Sequence, residues 1–214
     1  MDITYIGDGI NAVVIDNFYT EQQLDEIMIE LKWLTKPSVM LKEDKLAAAT
    51  EESGKILTSK SGVFLESIFR DWQHSALISH GMTQTNSKEF RDTLLQQNSM
   101  FNSLFHCNSR AHLLSYYENS DFYKSHTDSF FFTILNYFNT EPKQFSGGEI
   151  VLKSCLNNKE ATIEPKNNRA VVILSSTFHE VKPITSTLSN SLSGNGRYCN
   201  AMFLTTIDQP REPK

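Results

Sequence analysis

The chain has 214 residues, of which 39% are hydrophobic and 21% are charged, and its formal net charge is −5. This composition is typical of a globular protein, and an isoelectric point of about 5.7 argues against a basic surface that binds nucleic acid. No apolar run approaches the length of a membrane span, and the first residues lack the features of a signal peptide. We therefore expect no nucleic-acid partner and no membrane insertion.

The cysteines Cys107, Cys155 and Cys199 are widely spaced and form no C-x-x-C motif. This pattern predicts neither a disulfide framework nor a zinc knuckle. Reduced cysteines fit a cytoplasmic protein, and the cytoplasm is our default expectation for its location.

The N-terminal part of the chain combines short strands with a helix. Apolar runs within residues 3–15 predict two strands, and the sequence TEQQ, which begins at Thr20, is typical of a capping box that opens a helix. Apolar residues then recur at helical spacing from Leu24 to about Leu34. Pro37 ends this pattern.

A long polar segment separates this helix from two further predicted helices. Residues 36–61 are weakly periodic and predict a long loop with a turn of helix around residues 46–49. Such loops often serve as functional lids, and surface disorder is the alternative. Apolar spacing predicts a helix over residues 64–78 with Gly81 as its C-terminal cap, and Ser87 is expected to cap a third helix.

After about Asn108 the sequence becomes rich in β-strands. The eight predicted strand segments are RAHLLSYYE, FYKSH, FFFTILNYFN, GEIVLKS, ATIEP, RAVVILSS, HEVKPI and RYCNAMFLTT. Strands at this spacing, joined by short turns, favour a sandwich or a barrel. Because the helices precede the strands instead of alternating with them, we predict an α+β fold and not a parallel α/β sheet.

A histidine and an aspartate lie at the end of the segment FYKSH. In a strand, alternate side chains share a face, so His126 and Asp128 can point into one cavity. A distant histidine would complete the two-histidine, one-carboxylate set of the non-haem Fe(II) oxygenases. This short motif arises by chance in roughly one protein in four of this composition. The alternative is a structural histidine followed by an aspartate that caps a turn.

Two residues further along the chain favour the metal site. His179 follows the apolar segment AVVIL and also lies at a strand end. Arg197 opens the last predicted strand, where an unpaired buried charge would be costly. A dicarboxylate would satisfy the planar guanidinium with paired hydrogen bonds. A salt bridge to a glutamate or aspartate is the alternative.

From about residue 113 to residue 204 the chain resembles the double-stranded β-helix core of the Fe(II)/2-oxoglutarate oxygenases, particularly the prolyl-hydroxylase-like branch. The pieces that match in order are Tyr116, Tyr123-x-x-His126-x-Asp128, TILNYFN, Phe145-Ser-Gly147-Gly148-Glu149, Ile163-Glu-Pro165, His179-Glu-Val181 and Arg197-Tyr198. The segment DNFYTEQQLDEI also resembles the family's strand-to-helix entry. The resemblance implies a jelly-roll core with supporting N-terminal helices in a single domain. We assign residues 1–108 to the N-terminal strands and helices, and residues 109–207 to the jelly-roll core.

The resemblance also implies an Fe(II) site and a 2-oxoglutarate site in one cavity. The implied metal ligands are His126, Asp128 and His179. Arg197 would hold the distal carboxylate of 2-oxoglutarate, and dioxygen would be the second cosubstrate, with ascorbate as a supporting reductant. The candidates to line the cosubstrate pocket are Tyr116, Tyr123 and Thr133, with Thr133 favoured as a direct hydrogen-bonding partner. No catalytic residue is predicted beyond the metal site, and Gly147 and Gly148 are expected to form a tight turn.

The sequence departs from the prolyl-hydroxylase-like branch at two places. Seventeen residues separate His179 from Arg197, more than is usual there, and the excess coincides with a Ser/Asn/Gly-rich stretch at residues 185–196. We interpret that stretch as an extended hairpin loop at the cavity mouth, and Lys182 is the fallback cation if Arg197 is displaced. Asn136 stands where oxygen-sensing prolyl hydroxylases carry a tyrosine.

The implied activity is hydroxylation of a C–H bond with release of succinate and CO2, with a prolyl residue of a protein or peptide as the main hypothesis for the substrate. A free amino acid or another small molecule is the alternative within the family. Nucleic-acid demethylation is disfavoured because Phe203 replaces the second arginine of the demethylating branch. A non-catalytic, cupin-like metal-binding domain is the alternative outside the family. It would keep the metal ligands and have no need of Arg197.

Overall fold

The structure is a computed structural model, and it describes residues 2–42, 57–187 and 192–207. The strands are β1 (Asp2–Ile6), β2 (Ala12–Asp16), β3 (Leu41–Lys42), β4 (Thr58–Ser59), β5 (Ser61–Phe64), β6 (Ser109–Tyr117), β7 (Phe122–His126), β8 (Phe132–Phe138), β9 (Ser146–Gly147), β10 (Ile150–Lys153), β11 (Glu160–Ile163), β12 (Arg169–Leu174), β13 (Phe178–Val181), β14 (Ile184–Thr185) and β15 (Arg197–Thr205). The α-helices are α1 (Glu21–Leu34), α2 (Ala76–Thr85) and α3 (Lys88–Gln97), and 3-10 helical turns span Leu65–Ser67, Trp72–His74 and Ser99–His106.

The strands form two principal antiparallel sheets. The major sheet has the strand order β1-β2-β12-β8-β15-β6-β5-β3, and the minor sheet has the order β11-β10-β13-β7-β4. Strands β14 and β9 make a small two-stranded sheet beside them. This arrangement is the predicted double-stranded β-helix with supporting helices, and the sheets do not close into a barrel.

The major sheet separates two hydrophobic cores. Ile134 and Met202 lie in the core that includes the buried residues of the helices. Their neighbours Leu135 and Ala201 lie in the second core, which contains residues of both principal sheets. Successive side chains of a strand point to opposite faces, so the major sheet is apolar on both sides. The second core fixes one sheet against the other.

The first and third predicted helices are confirmed together with their N-terminal caps. The Thr20 hydroxyl accepts a hydrogen bond from the backbone N–H of Gln23, whose side chain accepts one from the Thr20 backbone. This reciprocal pair is the predicted capping box. Ser87 caps α3 in the predicted position, because its hydroxyl accepts a hydrogen bond from the N–H of Phe90.

The helix predicted over residues 64–78 is wrong. Two short 3-10 turns lie within this range, and α2 begins only after Ser75, whose hydroxyl caps it by accepting from the N–H of Ile78 at 3.2 Å. The apolar residues there do recur, but this local cap starts the helix late. Gly81 lies inside α2 and is not its cap. A Cβ atom there would lie 2.9 Å from the Met202 side chain, so the glycine permits close packing on the sheet.

All eight predicted strand segments of the C-terminal part are strands, and β9 and β14 are additional. The range 36–61 also contains β3, β4 and the start of β5, while the helical turn predicted at residues 46–49 lies outside the described residues. The assignment of one domain stays a prediction. Within the described residues, no helix combines the length and apolar character that crossing a lipid bilayer requires.

Candidate active site

The minor sheet places two histidines side by side. His126 ends β7 and His179 lies in β13, and the two residues are register partners with ring centroids 4.2 Å apart. Asp128 follows β7, where its backbone N–H donates to the Ser175 carbonyl at 2.9 Å. One candidate ligand atom from each of His126, Asp128 and His179 lies within 4.8 Å of the others. The structure therefore brings together the three residues that the sequence singled out.

Both imidazoles are oriented by backbone carbonyls. Nδ1 of His126 lies 2.8 Å from the Lys124 carbonyl oxygen, and Nδ1 of His179 lies 2.8 Å from the Thr177 carbonyl oxygen. A carbonyl oxygen only accepts, so Nδ1 of each ring carries a proton, and Nε2 is the nitrogen that each ring can offer to a metal. Burial and the neighbouring His179 lower the pKa of His126 to about 3, which keeps this ring neutral. The rings have the tautomer that a metal requires.

The carboxylate of Asp128 is held between the histidines. Its Oδ1 lies 3.8 Å from Nε2 of His126, and its Oδ2 lies 3.7 Å from Nε2 of His179. The buried Thr133 hydroxyl donates to Oδ2 at 2.7 Å and lies 2.8 Å from the Ser175 hydroxyl. Because the single proton of Thr133 goes to the carboxylate, Ser175 donates to Thr133. This geometry favours a positioning role for Thr133 over the predicted direct contact with 2-oxoglutarate.

The triad opens onto a cavity between the two principal sheets. Its walls are largely apolar, with a few polar and charged groups among them. The lining residues besides the triad are Lys60, Leu113, Ser115, Tyr117, Tyr123, Leu135, Ile150, Val181, Arg197, Cys199, Ala201 and Phe203. An apolar cavity with a few convergent polar groups is the usual form of a small-ligand site.

Arg197 is a buried cation in this cavity. Only 1% of the residue is exposed, and its guanidinium carbon lies 4.7 Å from the Tyr117 ring centroid and 4.8 Å from that of Tyr137. Among the described residues, Nε and Nη1 have no hydrogen-bond partner and no carboxylate forms an ion pair with the guanidinium. Burial raises the pKa of both phenols and of the Cys199 thiol, so none of them supplies an anion. The salt bridge considered as an alternative is not seen there, and a carboxylate ligand would supply the missing partner.

The two glycines that were expected to form a tight turn lie at the end of β9, against this arginine. Gly147 and Gly148 have φ angles of +75° and +74°, in the left-handed region that glycine adopts readily. A Cβ atom on Gly148 would lie 2.2 Å from Cδ1 of Ile184 and 2.9 Å from Cδ of Arg197. Gly148 thus leaves the space that the stem of Arg197 occupies.

One predicted pocket residue requires correction. Tyr116 does not line the cavity, because its side chain lies on the opposite face of the major sheet. There its hydroxyl accepts hydrogen bonds from the N–H groups of Gly194 at 3.0 Å and Gly196 at 2.9 Å. Tyr117 lines the cavity instead, since it is the register partner of Arg197, and directly opposed residues share a face. The β6–β15 register would have identified Tyr117, but the sequence does not reveal that register.

The remaining predicted residues divide between the cavity and the surface. Tyr123 lines the cavity as predicted and stacks on His126 with a centroid distance of 3.6 Å. Lys182, the fallback cation, is half-exposed and forms an ion pair with Glu180 at 2.5 Å, away from the cavity lining. Lys60 lines the cavity although no sequence pattern in the weakly periodic loop marks it.

Comparison with known proteins finds a family whose sequence profile resembles the C-terminal part of the chain. The sequence profile of the 2OG-Fe(II) oxygenase superfamily matches residues 111–204, a segment that contains the triad and Arg197. The predicted resemblance to this superfamily is confirmed over these residues, which are less than half of the chain. The superfamily implies Fe(II) and 2-oxoglutarate as the cofactor and cosubstrate. The imidazoles, the carboxylate and the buried guanidinium of the cavity fit both groups. No match was found among curated proteins.

Solved structures with the same fold include several oxygenases. A prolyl-4-hydroxylase from Pseudomonas putida superposes with a TM-score of 0.63 at 15% identity, covering 93% of this chain and 94% of the other. A Trichoplax adhaerens prolyl hydroxylase in complex with a peptide fragment gives 0.62 at 17% identity, covering 91% and 83%. A 2OG-Fe(II) oxygenase-family oxidoreductase from Burkholderia pseudomallei gives 0.56 at 12% identity, covering 91% and 84%. At these identities the likeness establishes the fold of this chain and leaves its substrate open.

Proposed function

We propose that the protein is an Fe(II)- and 2-oxoglutarate-dependent dioxygenase that hydroxylates a prolyl residue of a protein or peptide, with release of succinate and CO2. His126, Asp128 and His179 bind the iron, and Arg197 binds the distal carboxylate of 2-oxoglutarate. The observation that carries the proposal is the buried Arg197, which lacks an anionic partner among the described residues and lines the same cavity as the triad. A non-catalytic metal-binding domain would have no need of a buried arginine in the cavity that holds the metal ligands.

The triad suits the metal chemistry that this function needs. Two imidazoles and one carboxylate bind on one side of a metal ion and leave the other positions for cosubstrates. When bound, the iron supplies the activation of dioxygen for attack on a C–H bond. The protein's part is to hold the metal ligands in place. The backbone carbonyls of Lys124 and Thr177 orient the two histidines, and the hydroxyl of Thr133 orients the aspartate.

The opposite part of the cavity suits the rest of the cosubstrate. A guanidinium binds carboxylates through charge-assisted hydrogen bonds, and Nε and Nη1 of Arg197 are donors that lack a partner among the described residues. Leu135, Ile150 and Val181 line the cavity with aliphatic surface, against which the methylene groups of 2-oxoglutarate can pack. Arg197 is buried among these apolar walls, so the charge interaction is stronger than it would be at the protein surface.

The prolyl substrate is supported by two lines of reasoning. The protein of Pseudomonas putida is a prolyl-4-hydroxylase, and that of Trichoplax adhaerens is a prolyl hydroxylase bound to a peptide. In this chain, Phe131 is 56% exposed and lies close in sequence to Asp128. Exposed aromatic rings offer the broad apolar faces on which a pyrrolidine ring packs.

The test is turnover by protein reconstituted anaerobically with Fe(II) and then supplied with 2-oxoglutarate and air. We expect iron-dependent succinate release that rises with proline-containing peptides, and a mass gain of one oxygen atom in the peptide. Matched peptides with alanine in place of proline are the control. Acceptance of free amino acids and not of peptides would replace the prolyl hypothesis with small-molecule hydroxylation.

A pair of variants tests the enzyme proposal itself. Arg197→Met should abolish 2-oxoglutarate turnover and leave iron affinity within about twofold of the original, whereas Lys182→Met, which removes an exposed cation, should change neither. Equal turnover by Arg197→Met and the unsubstituted protein would refute the assigned cosubstrate site. If the folded protein releases no iron-dependent succinate under any condition, the enzyme proposal fails.

A further inference from the structure

A groove on the helical side of the major sheet takes no part in the proposed active site. His112 of β6 is the register partner of Met202, which lies in the core that the helices share with this sheet. The next residue, Leu113, lines the active-site cavity on the other face. The groove, which we call the β6 groove, has a volume of about 550 Å³, a size typical of small-ligand sites. Its ionisable and aromatic lining residues include Glu66, Phe69, Arg70, Trp72, Arg110 and His112.

The two arginines of the β6 groove lack an anionic partner. Arg110 is partly buried, and its Nη2 donates a hydrogen bond to the side-chain oxygen of Asn86 at 2.6 Å. Within residues 2–42, 57–187 and 192–207, no carboxylate forms an ion pair with Arg110 or with Arg70. Burial lowers the pKa of Arg110, because the guanidinium has lost part of its hydration. A partly desolvated cation of this kind is stabilised by an anion.

The acidic groups of the groove itself do not supply that anion. Glu66 is the one carboxylate of the lining, and its Oε1 accepts a hydrogen bond from the backbone N–H of His112 at 2.9 Å and lies 2.7 Å from Nδ1 of the same residue. A carboxylate oxygen only accepts, so Nδ1 donates to it. Burial raises the pKa of the Cys107 thiol, which therefore stays uncharged at neutral pH. His112 thus engages the negative charge of the lining, and the arginines are left for a ligand.

A buried nitrogen and an aromatic wall complete the groove. His112 is only 2% exposed, and its Nε2 has no hydrogen-bond partner among the described residues. Buried polar atoms are nearly always paired, so an unpaired one in the wall of a groove points to a ligand group. Trp72 is 45% exposed, and Phe69 also lines the groove. Their rings offer apolar surface on which the body of a ligand can pack.

We propose that the β6 groove binds a small organic anion, a carboxylate attached to an aromatic ring. Its carboxylate is held by Arg110 and Arg70, because a guanidinium donates charge-assisted hydrogen bonds to carboxylates. Its ring packs against Trp72 and Phe69. Because the major sheet separates this ligand from the proposed iron and 2-oxoglutarate sites, its binding does not depend on the proposed function.

The experiment compares two probes of the same shape that differ in charge. Phenylacetate and its neutral amide, phenylacetamide, are titrated into isotope-labelled full-length protein, and the indole N–H signals are followed by NMR. The chain has two tryptophans, and Trp33→Phe identifies which signal belongs to Trp72. Phenylacetate should shift the Trp72 signal saturably and leave the Trp33 signal in place. Phenylacetamide should bind about tenfold to a hundredfold more weakly, because it lacks the charge that the arginines hold.

Substitutions of single arginines separate the groove from other sites. Arg110→Met should weaken phenylacetate binding about tenfold to a hundredfold and change phenylacetamide binding by less than about twofold. Arg70→Met removes an exposed side chain and disturbs no buried position, and it should weaken phenylacetate binding about twofold to fivefold. Arg91→Met removes an exposed arginine outside the groove and is the matched control. Arg197→Met should leave binding unchanged, because Arg197 lines the cavity on the other face of the sheet.

Several outcomes would overturn the proposal. If Arg110→Met and Arg70→Met bind phenylacetate as well as the unsubstituted protein does, or if phenylacetamide binds as well as phenylacetate, the groove is not an anion site. Loss of binding in Arg197→Met would place the probe in the active-site cavity, and a Trp72 signal that phenylacetate never shifts would also overturn the proposal. Light scattering tests another occupant, because self-association that Arg110→Met abolishes would assign the groove to a second copy of the chain. The enzyme proposal is tested separately, by succinate release.

Discussion

Replacing Thr133 with valine should weaken metal binding while leaving the shape of the site unchanged. Valine has nearly the volume of threonine, so the buried position stays filled and only the hydroxyl is lost. That hydroxyl donates to Asp128 at 2.7 Å and accepts from Ser175. A hydrogen bond to a charged group contributes about 1.5–3 kcal/mol. Loss of such a partner behind a metal ligand lowers metal affinity about tenfold to a hundredfold.

The assay is anaerobic titration of Fe(II), or of Mn(II) as its redox-stable substitute, into the Thr133→Val and Thr133→Ser variants. Serine keeps the hydroxyl, so that variant should retain most of the affinity. Denaturant unfolding of the metal-free proteins should show a loss of about 1–3 kcal/mol for valine, because the Ser175 hydroxyl loses its buried acceptor. Metal affinity of Thr133→Val equal to that of the unsubstituted protein would refute the positioning role, and Thr133 would again be a candidate for direct contact with 2-oxoglutarate.

Three further predictions follow from the geometry of the site. Gly148→Ala should displace Arg197, because the new Cβ atom would lie 2.9 Å from Cδ of Arg197 and position 148 has a φ angle of +74°. Calorimetry should show weaker 2-oxoglutarate binding and unchanged Mn(II) binding. Equal weakening of both ligands would contradict the prediction. Tyr116→Phe should lower the free energy of unfolding by about 1–3 kcal/mol, because two backbone N–H groups lose their acceptor. The dissociation constant of 2-oxoglutarate should not change. A selective loss of 2-oxoglutarate binding would indicate that Tyr116 lines the cavity after all. The pKa of His126 is lowered to about 3 from the ordinary value of 6.5, so between these pH values the unfolded state binds more protons than the folded state. The metal-free protein should therefore lose stability as the pH falls from 6.5 towards 3, by up to about 1.4 kcal/mol per pH unit. Urea unfolding of His126→Gln should show a shallower pH slope, and identical slopes would refute the assignment.

The fold was largely predictable because its local signals agree with its tertiary structure. The capping box at Thr20 and the cap at Ser87 both determine where helices begin, and apolar runs mark the long strands, which are buried on both faces. The failure over residues 64–78 has a local cause. Apolar spacing there satisfies a helical pattern, but the Ser75 hydroxyl caps a later start, and Gly81 serves packing against the sheet instead of helix termination.

The proposed metal ligands were easier to predict than the residues around Arg197, which form the anion end of the site. Metal ligands are limited to a few residue types, so the order of His126, Asp128 and His179 among strand-like segments carries most of the information. The anion end depends on which face of a strand a residue occupies. Tyr116 and Tyr117 are neighbours in β6, so their side chains lie on opposite faces of the major sheet. Only the pairing of Tyr117 with Arg197 shows which of the two tyrosines lies on the cavity face.

The long connection from His179 to Arg197 does not disturb the site, because register and not chain length fixes the arginine. Arg197 begins β15, which pairs with β6 over its whole length and with β8 along most of it, so its place is set by two neighbouring strands. The N–H groups of Gly194 and Gly196 are also held by Tyr116 immediately before that strand. The described residues between β13 and β15, 182–187 and 192–196, lie outside the two principal sheets. The histidines belong to the minor sheet and the arginine to the major sheet, so the distance between metal and guanidinium depends on the core between the sheets. Substitutions in that core should accordingly affect 2-oxoglutarate binding more than metal binding.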